Sequence, residues 1–145
     1  MNTYPEEWVQ YLVYFHGARD YFECHEVMEA YWKNHPGSPC RPTFLALIQI
    51  AVSLYHHRRG NHSGAYKLMS GARSNIRREH LDKLGIDGQG LIEVIEQRLQ
   101  AFCEDARPPF ADICIPIADG RLLEQCRKKR GAVRIPLERA VRFSR

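Results

Sequence analysis

Apolar residues recur three or four positions apart through roughly the first hundred residues, and no alternating run bounded by hairpin turns competes with them. The pattern predicts an all-α fold, a compact bundle of about five helices. A first helix is expected over Tyr4 to Ala18. Pro5 suits its first turn, Glu6 and Glu7 complement its positive end, and Trp8, Leu12 and Phe15 form the apolar stripe. A second begins at Asp20, which makes a D-x-x-E capping pair with Glu23, and runs to Lys33 before His35-Pro36-Gly37 stops it.

The loop Asn34 to Arg41 holds Pro36, Gly37 and Pro39, and a third helix should run from Pro42 or Thr43 to Arg59, closed by Gly60. Its middle, FLALIQIAVSLY, is apolar almost all round, which places it at the centre of the bundle. Ser63 is expected to cap a fourth helix carrying Leu68, Met69, Ala72 and Ile76, before a break at Leu84 to Gly88. A fifth, about Gly90 to Glu104, repeats the pattern with Leu91, Ile95, Leu99 and Phe102.

Arg107-Pro108-Pro109 ends the periodic region, and beyond it Asp119 to Lys129 reads as a short helix around Leu122, Leu123 and Cys126, followed by irregular chain. The expected organisation is a helical bundle domain over 1–106 and a basic, partly irregular extension over 107–145. Cutting after about Pro109 should then leave the melting temperature of the bundle nearly unchanged.

Charge sharpens that division. The net charge of the 145 residues is +4, but residues 121–145 hold 9 Lys/Arg against 2 Asp/Glu, so +7 sits in the tail and −3 in the rest. Arg127-Lys128-Lys129-Arg130 with Arg134, Arg139, Arg142 and Arg145 fits contact with nucleic acid or an acidic partner; a solvated or self-docked extension is the plainer alternative. One aromatic, Phe143, gives no series of stacking platforms for single strands. The 5 cysteines include no CxxC pair, which disfavours a disulfide scaffold and fits a reduced, cytoplasmic protein. The longest apolar run, Phe44 to Tyr55, spans 12 residues, short of the roughly 20 that cross a bilayer. A structural oligomer with Trp8, Tyr11 or Trp32 at an interface is a further expectation.

The densest cluster of titratable groups is Glu23-Cys24-His25-Glu26-Val27-Met28-Glu29. At helical spacing His25, Glu26 and Glu29 share one third of the circumference with Phe22, while Cys24, Val27, Met28 and Tyr31 point to the apolar side. HEVME is one letter from the zinc-protease HExxH pattern but lacks the second imidazole, and the paired Glu-x-x-His motifs of di-iron bundles are missing too. A single divalent metal ion on His25, Glu29 and a group from another helix is a further expectation, His56 of the third helix being the expected third ligand. On the third helix Gln49, Ser53 and His56 sit at i, i+4 and i+7, a polar stripe that must find partners if buried. An antiparallel second helix would bring the two stripes together around an enclosed pocket for a metal or a small polar ligand. Were the pocket catalytic, Glu26 or Glu29 would be the base and His25 or His56 the ligand or acid. The blander readings are a core network fixing helix register and, for Glu26 and Glu29, a solvated face. His57, with Arg58 and Arg59, is assigned to the exposed end of its helix, and Cys24 to the core.

Two blocks carry a resemblance. Phe15-His16-Gly17 with Tyr21 to Trp32, then Leu47 to His56 followed by Arg59-Gly60-Asn61 and Gly64-Ala65, resemble the small bacterial and archaeal proteins catalogued as domain of unknown function 309. The likeness covers about Tyr4 to Glu104, with Cys24 where a small residue such as alanine is expected. It implies a helical bundle and a polar cluster of Glu23, His25, Glu26, Glu29, Gln49 and His56, and it implies no reaction. Glu23, Gln49, Trp32 and Tyr55, all within the two blocks, are the expected ligand contacts.

Overall fold

A computed structural model describes residues 4–133. Among them are seven α-helices and no extended sheet: α1 Glu6–Val13, α2 Tyr21–Asn34, α3 Arg41–Arg58, α4 His62–Asn75, α5 Arg78–Lys83, α6 Gly88–Glu104 and α7 Gly120–Val133. The all-α reading holds, and the number of helices exceeds the expected five. No helix of the described residues is long and apolar enough to cross a membrane.

The first expected helix is two pieces. Beyond Val13 the chain widens into a π-helical turn, Tyr14–Ala18, and stops at Arg19, which adopts a left-handed φ of 54°. The wide turn brings consecutive residues inward, so Phe15, His16 and Gly17 are all buried. Asp20 then caps α2 as its sequence predicts, accepting the Glu23 N–H at 3.1 Å.

Helix α3 is buried on most faces and forms the centre of the core, and it ends at Gly60 with φ 85°. The cap of α4 is Asn61, which accepts the Gly64 N–H at 3.0 Å, and not Ser63, which lies inside the first turn. The continuation to Ile76 also fails. Ile76 takes extended backbone with ψ 143°, and Thr43 Oγ1 accepts the following Arg77 N–H at 3.0 Å, so the chain turns out of α4 and starts α5. Trp8 and Tyr11 belong to the core and not to an exposed interface: the Trp8 indole donates to the Leu84 carbonyl at 2.9 Å and the Tyr11 hydroxyl to that of Leu47 at 2.7 Å.

The segment between α6 and α7 is an extended strap across the bundle. Its alternate residues Ile113, Ile115 and Ile117 are buried, the period of extended chain, and Ile86 and Ile117 form an isolated antiparallel bridge. Polar side chains of the bundle pin its backbone: Arg19 donates to the Ile113 carbonyl at 2.6 Å, His16 accepts the Ile115 N–H at 2.9 Å, and Arg98 donates to the Ala111 carbonyl at 2.5 Å. Tyr21 donates to Asp112 at 2.5 Å. His57 is buried and not solvent-facing, donating Nε2–H to the Pro108 carbonyl at 2.8 Å while Nδ1 accepts from Arg98 at 3.2 Å.

Helix α7 docks on α1 with Leu122 and Cys126 buried, Gln125 bonded to the Tyr4 backbone and Lys129 paired with Glu6. It extends past the expected end at Lys129. The basic positions Arg134, Arg139, Arg142 and Arg145 lie outside the described residues.

Candidate functional site

Helix α2 turns its apolar side, Tyr21, Cys24 and Met28, into the core, which fixes the opposite sector outward. The Cys24 thiol donates to the Tyr11 carbonyl at 3.3 Å, and burial pushes its pKa well above the usual thiol range, so it is a core residue as expected. On the outward sector His25 stands between two acids: Nδ1 is 3.2 Å from Glu26 and Nε2 is 3.4 Å from Glu29, with Lys33 3.9 Å from the other Glu29 oxygen. One ligand atom from each of His25, Glu26 and Glu29 lies within 4.8 Å of the others.

This group is at the surface, not enclosed. The His25, Glu29 and Glu26 side chains are 27%, 37% and 51% exposed. The expected pairing of two polar stripes fails for a geometric reason: Gln49 and Ser53 face α4. Gln49 accepts from Asn75 at 2.9 Å and packs its amide against Gly71, where even a Cβ would come within 2.6 Å of Nε2. Ser53 donates to the Ala65 carbonyl at 2.7 Å. The small residues Gly71 and Ala65 let α4 approach α3 and take up its buried polar groups.

What does meet between α2 and α3 is a small aromatic cavity of about 170 Å³, lined by Tyr21, Phe22, His25, Val52, Tyr55 and His56. The Phe22 ring lies 6.2 Å from Tyr55 and 6.3 Å from His25, and it is 52% exposed at the rim. The Arg58 and Arg59 guanidiniums stack on Tyr21 and Tyr55 at 4.7 and 5.3 Å. Burial, then the bond to Asp112, raises the Tyr21 pKa, so its hydroxyl stays protonated.

Of the sequence-predicted residues, His25, Tyr55 and His56 line one cavity, and Glu26 and Glu29 flank it through His25. Glu23 is a first-turn residue of α2. Trp32 sits two turns beyond His25 and carries the Arg41 guanidinium 4.0 Å over its ring, so it takes no part in the cavity. Reasoning from sequence passed over Val52, Tyr21 and Asn61. Asn61 Nδ2 approaches His56 Nδ1 at 3.4 Å across the Gly60 turn, a contact that helical periodicity does not encode. Phe22 shares the helical sector of His25, and its place at the cavity rim comes from the packing of α2 on Tyr55 of α3. A larger open cleft of about 600 Å³ lies beyond the α3–α4 turn, lined by Asn61, His62, Tyr66, Phe102 and Arg107 among others, and it holds none of the predicted cluster.

A family model described as domain of unknown function DUF309 matches residues 8–68, which run from α1 through the α2–α3 seam into α4. The "Uncharacterized protein YpuF" of Bacillus subtilis (strain 168) is 40% identical over 126 residues, 86% of this chain and 71% of that relative. The chain belongs to the DUF309 family. No solved structure matches it. In this DUF309 chain the matched region contains the whole His25 group and the cavity beside it, while α5, α6, the strap and α7 lie beyond.

Proposed function

We propose that the α2–α3 seam of this DUF309 protein is a binding site, and that His25, Glu26 and Glu29 hold a divalent metal ion there. The observation that carries the reading is the convergence of one imidazole and two carboxylates within 4.8 Å. Donor atoms bound at roughly 2.0–2.2 Å to one ion must lie that close together. An imidazole with carboxylates is a mixed donor set suited to zinc, iron or manganese. The half-exposed position supports a bound-ligand role over a scaffold role, because exposed ion pairs contribute at most about 1 kcal/mol to folding. A metal ion would neutralise the two acids and leave coordination positions open toward solvent for an oxygen ligand.

The test is calorimetric titration of chelator-treated, full-length protein with zinc and with manganese, alongside thermal melting. The expected result is saturable heat and a raised melting temperature, since a ligand at 100 times its Kd stabilises by about 2.7 kcal/mol. Glu29→Gln and His25→Ala should abolish both effects and keep the helical circular dichroism. Wild-type protein giving neither heat nor a melting shift overturns the proposal.

A further inference from the structure

We infer that the cavity between α2 and α3 binds a small aromatic carboxylate, its ring between Phe22, Val52 and Tyr55 and its oxygens at the donor face of His56. The inference goes beyond the metal reading and does not depend on it.

Size comes first. The cavity of about 170 Å³ is walled almost wholly by aromatic and aliphatic side chains. A dry apolar cavity of roughly 150 Å³ holds a benzene molecule, so the space suits one six-membered ring. Phe22, half exposed at the rim, is one of only two large hydrophobic residues exposed among the described positions. A ring seated below it would bury that surface.

The polar head follows from a chain of hydrogen bonds. The Gly64 N–H donates to Asn61 Oδ1 at 3.0 Å, which fixes the orientation of the Asn61 amide. Asn61 Nδ2 therefore faces His56 Nδ1, at 3.4 Å, and must donate to it. A neutral imidazole accepting at Nδ1 carries its proton on Nε2, so His56 offers the cavity a donor. His25 offers none, since both its nitrogens face Glu26 and Glu29. The Tyr21 hydroxyl is already given to Asp112. At His56 the ligand head is accordingly an acceptor. Arg59, stacked on Tyr55, places a positive charge beside that cavity wall, whereas neither acid lines the cavity and Lys33 stands beside Glu29. An acceptor beside a guanidinium is best met by a carboxylate.

The test titrates metal-free, full-length protein with benzoate, and with benzyl alcohol and benzylamine as comparators, by calorimetry and protein-observed NMR. Benzoate should bind about tenfold tighter than benzyl alcohol, the worth of one charge-assisted hydrogen bond, and benzylamine should not bind. Val52→Phe should fill the cavity and abolish benzoate binding while leaving any zinc-induced melting shift intact. His56→Phe keeps an aromatic wall in the cavity and removes the Nε2–H donor. That variant should lose benzoate by about tenfold or more and keep benzyl alcohol. Unchanged benzoate affinity in either variant, or no benzoate binding to the wild type, overturns the inference. Benzoate binding without any metal binding overturns only the metal proposal.

Discussion

His16 Nε2 accepts the backbone N–H of Ile115 at 2.9 Å, so a buried imidazole of the π-helical turn holds the strap only while it is unprotonated. Burial, then the nearby Arg19 charge, lowers its pKa to about 3, against a smaller opposing effect from the Leu12 carbonyl.

The expected consequence is acid lability. An unfolded histidine takes up its proton near pH 6.5, whereas His16 in the fold refuses it until about pH 3. Stability is complete above about 6.5, falls as the pH drops from there to about 3, and levels below; the loss by pH 4 is on the order of a few kcal/mol. Urea midpoints of the wild type should fall more steeply between pH 7 and 4 than those of His16→Gln, which cannot titrate. Parallel curves would show that another group governs the acid transition.

Arg19→Ala should cost about 3 kcal/mol in a urea titration, a large effect for a residue outside the apolar core. The side chain donates to the Ile113 carbonyl and lies 4.0 Å from Asp112, and its own carbonyl accepts from Arg58 at 2.8 Å. Arg19→Gly, which suits the left-handed φ of 54°, should recover only part of the loss, because the strap stays unanchored.

Replacing all three of His25, Glu26 and Glu29 by Ala should change apo stability by no more than about 1 kcal/mol, since exposed ion pairs contribute little. A loss comparable with that of a buried core residue would make the group a scaffold and not a site.

Removal of residues 110–145 should unfold the protein or lower its melting temperature sharply, contrary to what charge division alone suggests. Ile113, Ile115, Ile117, Leu122 and Cys126 belong to the same core as α1 and α3, and burial of each large aliphatic side chain is worth roughly 1.5–3 kcal/mol. A circular dichroism melt of the shortened chain checks this.

Helices α1 to α4 and α6 were legible because their apolar stripes, Asp20 and Gly60 are local signals, whereas the short α5 was not expected. The π-helical turn was not, since nothing in Tyr14-Phe15-His16-Gly17-Ala18 departs from an ordinary helical pattern; only the burial of three consecutive residues reveals it. The strap was missed for a related reason. Ile113, Ile115 and Ile117 alternate as a strand would, but with no neighbouring strand they read as loop. At the site, the shared face of His25, Glu26 and Glu29 follows from one helix, but the metal set expected from sequence was His25, Glu29 and His56, and His56 lies outside the group of converging ligand atoms. The destination of Gln49 and Ser53 depended on which neighbour packs closest to α3, and that was settled by Gly71 and Ala65 on α4, a tertiary match that no single stripe announces.

Arg19, Tyr21 and His16 find their partners 94, 91 and 99 positions later in the chain. During synthesis these polar groups emerge long before the strap that satisfies them, and the turn between α1 and α2 must wait, hydrated and unlocked, until residues 112–115 have followed. The bundle is thus fastened by a segment made late, and a product stalled before the strap would carry an open seam that quality-control proteases can enter.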